Sequence, residues 1–299
     1  MDTLLRAINQ PETVRVVAAI TTEAVREACR RQDAQGVAAI VVGRALTSGV
    51  LLATLAKGER ERVRIQLGGG GPVGQVIIDA HGDGRVRACV ERRLPQNRLL
   101  EVAPIGRRTS TASAVGRRGH VVVTRDLGLA TPYQGSVDLR SGEIDEDLEH
   151  YLETSEQLPS TLRTEVVLDN HGEVLRAAGV LAQSFPGSEP EVIAEVRERL
   201  AGDALRTVIT REREVEDLVG LALGGAGFRG MLEHPVSFHC PCGPERALSV
   251  LATLGAQDLE ALADEQEQTE VRCNFCGQAT MIDAPEVRKL AARLRRVQS

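Results

Sequence analysis

Aromatic side chains are nearly missing from this 299-residue chain, which has no Trp, two Tyr and four Phe. Its core must therefore be built from Val, Leu, Ile and Ala. The shortage also counts against single-strand nucleic-acid binding, which stacks bases on aromatic faces. Lysine is just as scarce. Only Lys57 and Lys289 occur, and neither lies in a Gly-x-x-x-x-Gly-Lys-Ser/Thr context, which excludes a Walker-type ATP site. There is no cationic excess either: the formal net charge is −6 and the pI about 5.7, leaving nothing spare to neutralise phosphates. The opening stretch MDTLLRAINQPETV has no basic start, long apolar run or small-residue cleavage site, so no signal peptide is expected. The most membrane-like stretch, residues 36–56, carries Arg44 near its middle. That charge costs about 2.5–3.5 kcal/mol on insertion scales, and Ser48, Gly49 and Thr54 dilute the stretch further. It reads as a buried core helix, and no membrane partner is expected.

What is present suits a soluble globular protein with a real core: 42% of the residues are hydrophobic and 26% charged. Residues 13–20 read as a strand, and Thr21 or Thr22 then caps a helix running to about Arg31. Val63, Ile65 and Leu67 alternate with Arg62, Arg64 and Gln66, as a half-buried strand does. With the returns through VGQVIIDA and RVRACVERR this predicts a three-strand antiparallel meander. The glycines at 68–71 fit a hairpin turn better than a phosphate loop. Residues 103–119 read as a loop, whose paired arginines at 107–108 and 117–118 are solvated rather than a seat for an anionic partner. Two further strands follow, then an acid-started helix over 143–157 and two more strands ending near Pro186-Gly187.

The character changes after that point. From 189 to 223 the pattern is charged and helical, with a narrow apolar stripe from Val192, Ile193, Val196 and Leu200 interrupted at Gly202. Its opposite face is dense in Glu and Arg. Such a helix is expected to bury little area, so that its stability depends on what it docks against. GGAGFRG reads as a flexible break, and an Arg-rich helix closes the chain. The expected fold class is α+β: an N-terminal mixed α/β domain with an antiparallel sheet over 1–187, a helical, metastable linker over 188–232, and a small C-terminal zinc-binding module over 233–299.

That module carries the chemistry. Cys240-Pro241-Cys242-Gly243 and Cys273-Asn274-Phe275-Cys276-Gly277 hold four of the six cysteines. In a chain without a leader such clusters point to a reducing, cytoplasmic setting, and to metal or redox use more than to structural disulfides. Zinc takes four tetrahedral ligands, and two thiols one or two residues apart reach one ion from a single turn. Gly243 and Gly277 would permit the positive-φ turns that aim backbone N–H groups at the thiolates. Helices over 244–252 and 256–264 would pack between the two knuckles. His239 is a bystander, since four cysteines suffice. Cys29 and Cys89 fall outside the pattern and read as small core residues. The first pair is Cys-x-Cys where an ordinary zinc ribbon has Cys-x-x-Cys. A disulfide across one residue is strained and relatively oxidising, whereas Cys-x-x-Cys is a common redox spacing.

The tail pattern, together with the stretches 65–87, 133–162 (especially YLETSEQLPS) and 236–255, resembles the heat-shock protein 33 family of redox-switched chaperones over essentially the whole chain. The resemblance implies an ATP-independent holdase and no enzymatic activity. It implies one zinc ion on Cys240, Cys242, Cys273 and Cys276 in the reduced state. It also implies oxidation to Cys240–Cys242 and Cys273–Cys276 disulfides, with zinc leaving, the module unfolding and the linker losing its support. Unfolding client proteins would then bind under oxidative and heat stress, by a form that is a homodimer when oxidised and a monomer when reduced. The energetics agree: structural zinc supplies roughly 10–16 kcal/mol of folding energy in small modules, while whole domains are stable by only about 5–15 kcal/mol. The competing reading is a structural zinc ribbon that binds nucleic acid or a translation partner, which would need a basic face. A zinc or thiol enzyme would need an open metal position or an activated nucleophile, and neither motif is found.

Overall fold

The computed structural model describes residues 1–55, 61–91, 107–129, 131–211 and 214–298. Lys57 and the start of the 103–119 loop lie outside them. The described chain forms two compact units, Met1–His239 and Cys240–Ser299.

The first unit is built around one helix. After β1 (Thr3–Asn9), β2 (Val14–Ile20) and α1 (Thr22–Gln32) comes α2 (Val37–Ala53), buried at every position. This is the stretch that looked membrane-like. Its uniform apolarity is needed because it packs against strands of two different sheets. The meander follows as β3 (Arg62–Gly70), β4 (Gln75–His81) and β5 (Arg85–Val90), with Val63, Ile65 and Leu67 inward. On the opposite face Arg62, Arg64 and Arg87 converge on the buried Asp79 at 2.6–2.8 Å. Then come α3 (Ala112–Val115), β6 (Gly116–Asp126), β7 (Tyr133–Asp138), α4 (Ile144–Ser155), β8 (Ser160–Leu168) and β9 (Val174–Ser184).

Three short helices follow, α5 (Pro190–Arg199), α6 (Ala204–Ile209) and α7 (Val215–Leu223), and finally β10 (Phe228–Pro235) and β11 (Ser237–Phe238). The strands form a five-stranded antiparallel sheet, β10-β1-β2-β9-β8, and a six-stranded sheet, β11-β5-β4-β3-β6-β7, antiparallel except at β11–β5. No described helix is long and apolar enough to cross a membrane.

Several expectations need correction. β1 was not anticipated. Its hairpin to β2 is fixed by Asn9, whose side-chain oxygen accepts from the N–H groups of Thr13 and Val14 at 2.9 Å. Gly68–Gly70 are strand rather than turn. A bulge sets Gly69 and Gly70 against Gly116, and a Cβ at Gly69 would collide with the Gly116 carbonyl. Within the expected 103–119 loop, 112–115 turn helical and β6 starts at 116. Arg108 is not solvated but clamps Asp145 with two 2.6 Å hydrogen bonds.

The 189–223 stretch does not bury little. Ile193, Val196, Leu200, Leu205, Ile209, Val215, Leu218, Val219, Ala222 and Leu223 are all at most 6% exposed and pack with Leu5, Val14, Val16, Val167, Val180 and Ala182 of the five-stranded sheet. The break at Gly202 separates α5 from α6, and the short helices follow the sheet where one straight helix could not. Residues 228–238, split above between linker and C-terminal module, belong to the first unit: β10 extends one sheet and β11 the other.

A charge cluster lies under α2. Arg44, fully buried, reaches Glu143 at 3.1 Å and Glu165 at 3.7 Å. Burial alone would raise the Asp145 carboxyl, but the charges of Arg108 and Arg44 outweigh it and bring it down to about 2.

Two outcomes are expected. Leu218→Ala should cost about 2–4 kcal/mol in urea denaturation, the usual loss for a buried leucine. Because the folded Asp145 sits below its unfolded value near 3.9, its ion pairing stabilises above about pH 4 and fades as pH falls toward 2. Denaturation across that acid window should show a loss of about 2 kcal/mol, absent in Asp145→Asn.

Candidate metal centre

The second unit has a small core. Ala247, Leu251, Leu259, Ala263, Ile282, Ala284, Val287 and Ala291 are its buried hydrophobic cluster, and half of them are alanine. They come from α8 (Pro244–Leu251), α9 (Ala256–Glu265), β13 (Ala279–Asp283) and α10 (Ala284–Gln298), with β12 (Gln268–Arg272) pairing antiparallel to β13. A 3₁₀ turn over Ala252–Leu254 joins α8 to α9. The expected helices are there. The hairpin of β12 and β13 was not anticipated, and it carries the second cysteine pair in its turn.

Local geometry aims the sulfurs. In the hairpin turn the N–H of Gly277 donates to the carbonyl of Cys273 at 2.8 Å, and the N–H of Cys273 to Gln278 at 2.9 Å. Gly277 has φ +69°, the left-handed conformation expected of it. Gly243 does not: its φ of 170° is extended backbone, and it enters α8 just before Pro244. The Cys-x-Cys turn closes instead through the N–H of Cys242 donating to the Cys240 carbonyl at 2.8 Å.

The two turns bring all four sulfurs together. Cys240 Sγ lies 3.1 Å from Cys242 Sγ and 3.7 Å from Cys273 Sγ, and Cys276 Sγ lies 3.4 Å from Cys242 Sγ. All four ligand atoms fall within 4.8 Å of one another. A tetrahedron with Zn–S arms of about 2.3 Å has edges of about 3.8 Å, so the quartet fits a single zinc-sized ion. All four are free thiols. His239 is not needed to complete the set. It lies in the first unit, where its N–H donates to the Val86 carbonyl at 2.9 Å.

The charge pattern of the cluster suits a cation. Hydrogen bonding from Cys240, helped against burial by the N–H groups of Phe275 and Cys276, draws the Cys273 thiol down to about 4. Burial first, and then side-chain hydrogen bonds with Cys273 and Cys276, push Cys242 up to about 11. Cys273 is thus readily ionised, while its neighbour Cys242 resists ionisation. A divalent cation at the site's centre would supply the missing charge. Cys29 and Cys89 are 6% and 1% exposed in the first unit, the core positions expected of them. Burial pushes Cys29 to about 12, which leaves it inert as a nucleophile.

Comparison with known proteins gives a consistent answer. The family model described as Hsp33 protein matches residues 2–283. The 33 kDa chaperonin of Syntrophotalea carbinolica is 35% identical over 297 residues, covering 97% of this chain and 99% of that protein. The 33 kDa chaperonin of Geobacillus kaustophilus is also 35% identical, covering 97% of each. The crystal structure of the 33 kDa chaperonin from Thermotoga maritima aligns with a TM-score of 0.80 at 27% identity, over 99% of each chain. With the fold, the cysteine quartet and these relatives agreeing from end to end, this chain belongs to the Hsp33 family of chaperones.

Proposed function

We propose that this protein is a redox-regulated, ATP-independent holdase whose switch is a zinc ion on Cys240, Cys242, Cys273 and Cys276. The observation that carries the reading is the convergence of four thiols from two turns onto one ion-sized space in a unit with little core of its own. Below about 70–80 residues a single hydrophobic core rarely supplies more than about 3–5 kcal/mol. Zinc would therefore be the main source of stability for residues 240–299.

Oxidation would form a Cys240–Cys242 and a Cys273–Cys276 disulfide. Each would form by loss of two electrons from a pair of zinc-bound thiolates to a peroxide or hypochlorous acid, which takes up protons from solvent as it is reduced to water, or to chloride and water, with zinc released. The unit then loses its fold, and the linker helices let go of the five-stranded sheet. Letting go would uncover apolar surface on both sides at once, the stripe of α5–α7 and the sheet face beneath it. Unfolding clients under oxidative and heat stress would bind there, in the cytoplasm, with the active form a homodimer. The relatives' shared name, 33 kDa chaperonin, supports client binding. The acidic net charge of −6 speaks against the competing nucleic-acid reading.

Peroxide treatment at mildly elevated temperature should release zinc, consume the four thiols and turn on suppression of heat-induced client aggregation. Loss of zinc and thiols with aggregation unchanged would overturn the holdase reading. Cys240→Ser should lower zinc affinity by more than about tenfold, since loss of outer partners alone costs about 10–100-fold. It should also lower the order of residues 240–299 in reduced protein, read by competition with a chromogenic chelator and by circular dichroism. Undiminished affinity would show that another ligand completes the site.

A further inference from the structure

Strand β8 is the edge of the five-stranded sheet, and β9 pairs with only one of its sides. Unpaired edge N–H groups are a liability that folds cover. Here three alternating ones are covered by carboxylates. Glu149 accepts from Leu162 N–H at 2.8 Å, Asp145 from Thr164 N–H at 3.0 Å, and Glu165 from Val166 N–H at 3.1 Å. The backbone thus fixes a row of negative charge along the edge.

Each carboxylate in the row also holds an arginine. Glu149 accepts from Arg197 Nε at 3.0 Å, and the same guanidinium donates to Glu153 at 2.7 Å and to the Ser160 carbonyl at 3.0 Å. Glu165 accepts from Arg206 at 3.1 Å. Asp145 is clamped by Arg108, whose own backbone N–H donates to Asp203 at 3.1 Å. Beside them Arg163 donates to the Leu200 carbonyl at 3.3 Å. Arg197, Leu200, Asp203 and Arg206 all lie between the start of α5 and the end of α6. The row therefore ties the edge of the sheet to the linker directly through Glu149–Arg197 and Glu165–Arg206 and indirectly through Arg108 to Asp203, and Arg163 of β8 adds a further bond to Leu200.

We propose that this carboxylate row is the latch of the linker, with Arg197 and Arg206 as its moving half. The apolar stripe supplies adhesion, but hydrophobic contact is non-directional. The charge-assisted hydrogen bonds set where α5 and α6 sit. Glu165 is 3% exposed and the Arg206 side chain 12%, so solvent screens that pair little. The carboxylates keep other partners when the linker arginines are gone: Glu165 retains Arg44 and the Val166 N–H, and Asp145 retains Arg108. Losing the linker arginines should therefore free the linker while the sheet stays folded. Only the consequence for client binding rests on the holdase reading.

The test is hydrogen exchange by mass spectrometry on the full-length, reduced, zinc-loaded double variant Arg197→Gln/Arg206→Gln. Arg211→Gln, at an exposed position on the same segment, serves as the control. Peptides from 190–209 should exchange on the order of ten- to a hundredfold faster in the double variant. Peptides from β8 and β9 and the zinc content should be unchanged, and client aggregation should be suppressed without oxidant. Wild-type exchange over 190–209, or acceleration spread equally through β8 and β9, would overturn the latch. Faster linker exchange without client binding would leave the latch standing and overturn the holdase reading.

Discussion

Four sulfur atoms can hold one ion only if the chain brings them to a common centre, and residues 240–299 do this with only a small core behind them. Eight buried hydrophobic residues, half of them alanine, back a two-stranded hairpin and three helices. The cysteines sit in the two turns, where the backbone has no sheet neighbour to hold it. Cys273 and Cys242 compete for charge, Cys273 readily ionised and Cys242 held protonated by burial. A divalent ion would relieve that competition, and a two-electron oxidation of each pair would remove the need for it. In the proposed switch, stability and reactivity reside in the same four atoms.

The first unit solves the opposite problem. Its core is large and aliphatic, built around α2, and the one charge within that helix, Arg44, is neutralised by Glu143 and Glu165 from other elements. The same Glu165 faces the linker through Arg206. Core and linker thus share a buried carboxylate, and the linker is held in a defined place without being part of the central packing.

Much of this was legible in the sequence, for physical reasons. β3 alternates strictly because only one of its faces is buried, so period-2 patterning found it. α2 is apolar on all sides because it is enclosed on all sides. The cysteine quartet was visible because each of its pairs is close in sequence, Cys240 with Cys242 and Cys273 with Cys276. β1 was missed because it is buried on both faces and shows no alternation. β10 was missed because it is an edge strand with little buried area, its residues mostly exposed. The linker was misread for a subtler reason. Its Arg and Glu residues have the spacing of a solvated face, and nothing local reveals that Arg197 and Arg206 meet carboxylates fixed on α4 and β8. That pairing is a property of tertiary structure alone.

The central claim is that the metal holds the C-terminal unit folded and that its loss is transmitted to the linker. It is tested most directly by following zinc release and amide exchange together on one peroxide-treated sample of the intact protein. The account predicts that zinc leaves, protection over 240–283 collapses, and protection over 190–223 falls with it while β8 and β9 stay protected. Zinc release with 190–223 still fully protected would contradict it.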